Sequence, residues 1–490
     1  MIFSDLSLVL VILLVLLIFW VSHSRDKRLV IFSKLQSGPT PLPYIGNVNV
    51  LYKQNLIEGL LALKKQFSFP CNFWVYNDYY YITDNPEEIK SFLLNTTKSF
   101  RKTPFYDDLI KVMMKDSFVL LDNVEEWRHH RKLANKAFAS SIWYKYTPVF
   151  HKTAIKLNKK LQDIKESVTL LEVLSRYSFD TFMENFMGVN IKDESTENEL
   201  VKALTRMLNI TFQRTLFNRT IPHWAYKYLT IEGRQFYKEF TFIKKRLKFL
   251  IDKKRIELQQ KSENADYLLQ LPLVETLILK EESDFSLDEV VNMMMLLYVT
   301  SIDTTVLTLF YTLMHLGTHA EIQDKVLQEI LDNVGSEGEI ETKDLSNLKY
   351  LEQCIFETLR LYPIVPVTGR HLTDDMIVGK KHFPKGANIL ISPFLVHRNE
   401  AYWKDPETFD PSRFSAQKEM ELGSYLPFLV GPRDCPGRYY AVAQVKIMVA
   451  NILRQYKIKV DPKVLKTIKF NYYIIIKPKI KFDIEFLPRI

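Results

Sequence analysis

The chain has 490 residues, 47% of them hydrophobic, 13% aromatic and 25% charged, enough apolar material for a large core and too much for a disordered or low-complexity chain. Its net charge of +9 comes from basic residues scattered among acidic ones, so nucleic acid is not an expected partner. Glycine contributes only 14 residues and no GxGxxG or GxxxxGK string occurs, which leaves the chain without a phosphate-cradling loop of its own. Three cysteines, Cys71, Cys354 and Cys435, are too few and too far apart for a disulfide framework or a zinc knuckle, and point to a reducing compartment.

Leu6 to Val21 is apolar except for Ser7. As a helix this run spans about 24 Å, a little short of a hydrocarbon core of about 30 Å. Asp5 precedes it and Arg25, Lys27, Arg28 and Lys34 follow, the reverse of a cleaved signal peptide. A retained transmembrane anchor over residues 1–23 is expected, with the bulk of the chain in the cytosol; a cleaved signal or an interfacial helix is the alternative. Ser37-Gly38-Pro39-Thr40-Pro41-Leu42-Pro43 then makes a stiff spacer within a basic, proline-rich linker over 24–47. A single globular domain is expected over 48–490.

From Leu56 the pattern is mostly helical, with a strand-like run at Phe73 to Tyr81 and an extended, β-branched C-terminus from Tyr456. The predicted class is mainly α with small β-sheets. Lys152 to Lys165 and Lys244 to Asn264 read as solvated helix faces. Phe212 to Leu229 mixes aromatic and basic residues in a composition that suits either a membrane interface or core packing.

One predicted helix carries chemistry. Ser286-Leu287-Asp288-Glu289 is a capping box and Gly317 a plausible stop, which gives a rod of about 45 Å. Its flanks are apolar, yet its middle reads Thr300-Ser301-Ile302-Asp303-Thr304-Thr305. Buried hydroxyls there either bond back to the preceding turn or, beside Asp303, relay protons.

The second signal is Phe428-Leu429-Val430-Gly431-Pro432-Arg433-Asp434-Cys435-Pro436-Gly437. Glycines and prolines on both sides forbid regular structure and let the backbone pass close to something flat, and a helix is expected to start at Cys435 or Pro436. A helix N-terminus and a nearby arginine favour a thiolate. An isolated cysteine is most often a buried small hydrophobe. This ten-residue context instead resembles the haem-binding loop of the cytochrome P450 family, in which the cysteine thiolate is the axial iron ligand.

The resemblance extends over nearly the whole chain. It implies a cytochrome P450 fold with a long central helix over haem b, Cys435 as iron ligand, and Phe428 and Gly437 against the haem. Trp127 and Arg131 fit a WxxxR motif and, with Arg370 and Arg433, would bind the two haem propionates. His129 and His130 would be helix-surface residues. Asp303 and Thr304 would be the catalytic acid and hydroxyl of oxygen activation. Glu357-Thr358-Leu359-Arg360 with Arg413 resembles the charged cluster that locks the fold beneath the haem. The spacer and anchor resemble the microsomal members.

The same resemblance implies a monooxygenase at the cytosolic face of the endoplasmic reticulum membrane. Electrons from NADPH would arrive through NADPH-cytochrome P450 reductase, with cytochrome b5 as a further partner. Arg128, Lys132, Lys136, Arg438 and Lys446 would form the docking face. Residues 105–119, 212–217, 298–304, 365–368 and 472–475 would line the pocket for a hydrophobic substrate: a fatty acid, hormone, odorant or xenobiotic. The segment Glu357 to Pro366, the cysteine loop and His319 to Gln323 look most like the animal clan that contains the fatty-acid ω-hydroxylases. Ser301 departs from the usual glycine, Ala320 from the usual proline, and Thr300 from the glutamate that esterifies haem in some members, so no covalent haem link is expected. The alternatives are a haem-thiolate enzyme that rearranges peroxides and a membrane-tethered binding protein without turnover.

Overall fold

In the computed structural model the chain is described over 25–489, except 52–55, 107–108, 115–116, 139–142, 191–193, 218–220, 260–271, 280–285, 416–419, 473–474 and 480. Of the expected anchor over 1–23, only Val9, Val11 and Ile12 lie within the described residues.

The structure is mainly helical with small sheets, as predicted. Its principal helices are α1 (Val124–Ala137), α2 (Trp143–Leu161), α3 (Ser167–Asn185), α4 (Glu194–Phe217), α5 (Ile231–Gln259), α6 (Leu287–Thr318), α7 (Lys349–Leu361) and α8 (Arg438–Gln455). Helix α6 runs through the core, with α3, α5, α7 and α8 packed around it. It starts where the capping box predicts. The Ser286 hydroxyl accepts the Glu289 N–H at 3.3 Å and the Glu289 carboxylate accepts the Ser286 N–H at 2.7 Å.

Gly317 does not stop this helix, which continues to Thr318. Its role is close approach: a β-carbon there would stand 2.7 Å from the Val460 side chain. Although α6 is long and apolar enough to cross a membrane, most of it is buried inside the protein, as a core helix should be.

Strands β1 (Cys71–Val75), β2 (Asp78–Thr83), β3 (Thr368–His371) and β6 (Asn388–Ile391) form one sheet in the order β1-β2-β6-β3. The expected single strand over Phe73 to Tyr81 is instead the hairpin β1–β2, in register Cys71↔Ile82 to Val75↔Asp78. Asn77 follows Tyr76, whose φ is 55°, and this left-handed turn chemistry breaks the run. Strand β6 pairs parallel to β2 and antiparallel to β3, which places Arg370 opposite Ile389. Three two-stranded ribbons complete the fold: β4 (Met376–Val378) with β5 (Lys381–Phe383), β7 (Tyr456–Val460) with β10 (Ile484–Pro488), and β8 (Phe470–Tyr472) with β9 (Ile476–Pro478). The extended C-terminus is thus present, interrupted by a short helix at Val464–Thr467.

Beneath the site the carboxylate of Glu357, with its side chain fully buried, receives Arg360 Nε at 2.7 Å, Arg360 Nη2 at 2.8 Å and Arg413 Nε at 3.3 Å. The i, i+3 spacing on α7 aligns the first two residues. Arg360 also donates to the carbonyls of His397 and Pro406, so no charge is left without partners in this dry setting.

Candidate active site

The cysteine loop is folded by its own sequence. Gly431 has φ +85°, and a β-carbon there would meet the Leu93 carbonyl at 2.6 Å, so both conformation and space demand glycine. The Asp434 N–H donates to Gly431 O at 3.1 Å and the Cys435 N–H to Phe428 O at 2.9 Å, closing the loop on itself. Helix α8 begins at Arg438 with Gly437 as its cap, two to three residues later than expected, because Cys435 belongs to the turn that precedes it.

Cys435 borders a cavity of about 360 Å³ between α6, α1 and the loop. Its exposed surface faces this cavity, deep inside the molecule. Burial raises the thiol above its ordinary value, with Asp434 adding to the shift; the Gly437 N–H, Arg131 and Arg438 oppose it. A β-carbon at Gly437 would stand 3.6 Å from the Phe138 ring and 4.0 Å from the Cys435 sulfur, ordinary contact distances.

Phe428, Arg433 and Gly437, with Trp127 and Arg131 from α1 and Asp303 and Thr304 from α6, line the same cavity as Cys435. Arg370 is buried on β3 just behind the wall and is not itself a lining residue. Of the expected pocket segments, Met113, Phe118, Thr300, Val365, Thr368 and Ile475 contribute. Tyr298 turns away and donates its hydroxyl to Leu200 O at 2.8 Å. On α4, Leu208 and Asn209 line the cavity, ahead of the expected 212–217; the side chains of Phe212 and of 215–217 lie outside the described residues.

Among the described residues, Arg433 and Arg370 keep side-chain nitrogens without hydrogen-bond partners, whereas Arg131 pairs with Asp434. Arg433 donates to the Phe118 and Val119 carbonyls at 3.1 and 3.0 Å and to Leu121 O, and lies 3.8 Å over the Phe100 ring; its Nε has no partner. Burial, then repulsion from Arg370 and Arg131, lowers its pKa to about 9, with Asp122 opposing. Arg370 gives Nη1 to Gly369 O at 3.1 Å and leaves Nη2 without a partner among the described residues, and burial lowers its pKa to about 10. Among the described residues, Trp127 Nε1 also lacks a partner.

Lys102, on the same wall, is pushed well below its ordinary value by burial and by Arg370 and Arg433. Sequence reasoning missed it, because nothing in its spacing sets it apart from the neighbouring Arg101. Lys477, another lining residue, pairs with Asp303 at 2.6 Å and was missed for the same reason.

The α6 hydroxyls bond back along the helix. Thr300 donates to Leu296 O at 2.9 Å, Ser301 to Leu297 O at 2.6 Å and Thr304 to Thr300 O at 2.6 Å.

The surface expectations divide. His129 is exposed, but His130 is 5% exposed with Nε2 3.7 Å from the Glu289 carboxylate, because that face of α1 packs toward the start of α6. Arg128 and Lys132 are exposed and Arg438 partly so. Lys446 is buried, donating to Leu345 O at 2.7 Å and pairing with Glu352, so it is no part of a docking face. The side chain of Lys136 lies outside the described residues.

An iron porphyrin fits these residues. No group of three His, Cys, Asp or Glu side chains able to hold a metal occurs among the described residues, so an iron reached by Cys435 must bring its other ligands with it. A porphyrin does so, and its two propionates match the nitrogens of Arg433, Arg370 and Trp127 that lack partners among the described residues.

Comparison with known proteins agrees. The profile named Cytochrome P450 matches residues 37–486. The chain belongs to the cytochrome P450 family. Similar relatives are cytochrome P450 4d2 of Drosophila melanogaster, 26% identical over 86% of this chain and 88% of the relative; cytochrome P450 4c21 of Blattella germanica, 26% identical over 93% of each; and human cytochrome P450 4F8, 29% identical over 77% of this chain and 75% of the relative. Cytochromes P450 are haem-thiolate monooxygenases, and membership gives this chain that general activity.

Proposed function

We propose that this cytochrome P450 inserts one atom of O2 into a hydrophobic small molecule, drawing electrons from NADPH through NADPH-cytochrome P450 reductase, with cytochrome b5 as a further donor. It acts at the cytosolic face of the endoplasmic reticulum membrane, anchored by residues 1–23. The observation that carries this reading is one cavity that joins the Cys435 thiol, the Lys102 and Arg433 cations, and the Asp303 and Thr304 side chains.

Cys435 would hold the haem iron through its thiolate, and the haem would supply the redox chemistry of oxygen activation. Trp127, Arg131, Arg370 and Arg433, joined by Lys102, would hold the propionates. Phe428 and Gly437 line the cavity beside the sulfur. Asp303 and Thr304 move protons into the cavity: the Thr304 hydroxyl, resting on Thr300 O, is the last donor and Asp303 reloads it.

Ile110, Met113, Phe118, Leu297, Ile364 and Val365 make the lining mainly apolar, which excludes water and suits hydrophobic substrates such as fatty acids, hormones, odorants and xenobiotics. Arg128, Lys132 and Arg438 form the surface that attracts an acidic redox partner.

The test is reconstitution of the haem-loaded enzyme with reductase, NADPH and a lipid, hormone and xenobiotic panel. NADPH-dependent hydroxylated product from the parent, absent from Cys435→Ala, is expected. Equal product from both overturns the assignment.

A further inference from the structure

Asp303 is 7% exposed in the middle of α6, and among the described residues the cation paired with it is Lys477, whose Nζ stands 2.6 Å from Oδ2. The lysine comes from β9, and its backbone is pinned twice. The Tyr311 hydroxyl, also on α6, donates to Ile476 O at 3.0 Å, and the Ile476 N–H donates to Ile364 O at 2.9 Å. Strand alternation then buries Ile476 on one side and turns Ile475 and Lys477 onto the cavity wall. The Thr304 hydroxyl, meanwhile, donates to Thr300 O. The acid is therefore engaged by a cation on a separate element and the hydroxyl by its own helix.

We propose that Lys477 is the positioning residue of proton delivery. Its ion pair holds the Asp303 carboxylate at the cavity edge; when the pair opens, the carboxylate takes up a proton from water and hands it to the Thr304 hydroxyl as that hydroxyl gives its own proton into the cavity. This inference rests on the reading of Asp303 and Thr304 as the proton path. A carboxylate this deep is not held in one position without a partner. Removing the ammonium thus impairs the path without touching the haem ligand or the propionate cations.

The test uses the holoenzyme in four variants, Lys477→Met, Lys477→Arg, Asp303→Asn and the Asp303→Asn/Lys477→Met pair. It reads product formed per NADPH oxidised, and amide hydrogen exchange over 475–479. Lys477→Met is expected to lower coupling roughly ten-fold, less than the full contribution of a proton-transfer group. It is also expected to speed exchange over 475–479. Lys477→Arg restores both, and Lys477→Met lowers coupling no further once Asp303 is Asn. If Lys477→Met does not fold, Lys477→Gln takes its place. Parent-like coupling in Lys477→Met, or an equal loss in both backgrounds, overturns the positioning role. Full coupling in Asp303→Asn overturns the proton path beneath it.

Discussion

Arg131 grips the residue next to Cys435: its Nη1 donates to the Asp434 carbonyl at 2.6 Å and its Nη2 meets the Asp434 carboxylate at 2.5 Å. Helix α1 and the cysteine loop are thereby locked together, so the guanidinium is committed to the loop as well as available to the cavity it lines. Arg131→Leu removes both contacts and should weaken haem retention roughly 10- to 100-fold, the range seen when a residue that orients a metal ligand is lost. Haem transfer to a scavenging apoglobin measures this. Transfer at the parent rate would contradict the account.

The Glu357 cluster makes a prediction about stability. Glu357→Ala leaves Arg360 buried without its anion, with both side chains fully buried in the intact protein. A loss of about 3–5 kcal/mol is expected, as for other buried pairs broken from one side. Urea unfolding followed by fluorescence reads it, and a loss below about 1 kcal/mol would show that the pair is dispensable.

His397 predicts how stability depends on pH. The Leu426 N–H donates to its Nε2 at 2.7 Å, so the ring proton sits on Nδ1, 3.1 Å from Arg360 O. Burial first, then Arg360, lowers its pKa from 6.5 to about 3. The unfolded chain therefore binds a proton at a higher pH than the folded chain does. The neutral ring's contribution is complete above about pH 6.5 and is lost as pH falls toward 3. His397→Gln should flatten the fall in urea midpoint between pH 7 and pH 5, relative to the parent. Parallel curves would remove His397 from the acid response.

Thr304→Ala separates chemistry from folding. The hydroxyl's bond is to its own helix, so the expected stability change is under about 1 kcal/mol. NADPH oxidation should continue while product falls and hydrogen peroxide rises. Unchanged coupling would end the proton-relay role of Thr304.

The parts of this site legible in the sequence are those written locally. The capping box of α6, the i, i+3 alignment of Glu357 with Arg360 and the Gly-Pro punctuation around Cys435 each depend on neighbours within a few positions, and each appears as read. Features set by packing between distant elements were not legible. Lys477 meets Asp303 across 174 positions, and Lys102 joins Arg370 and Arg433 only because β3 and the loop converge. His130 and Lys446 read as surface residues because a helix pattern does not say which neighbour will cover a face. Gly317 carried a stop signal that close packing against Val460 explains instead.

The central claim is that Cys435 holds haem iron through its thiolate. The carbon monoxide difference spectrum of reduced membranes carrying the chain tests it most directly. The account predicts a strongly red-shifted Soret band, absent from Cys435→Ala. An unshifted band, or folded protein that takes up no haem, would contradict it.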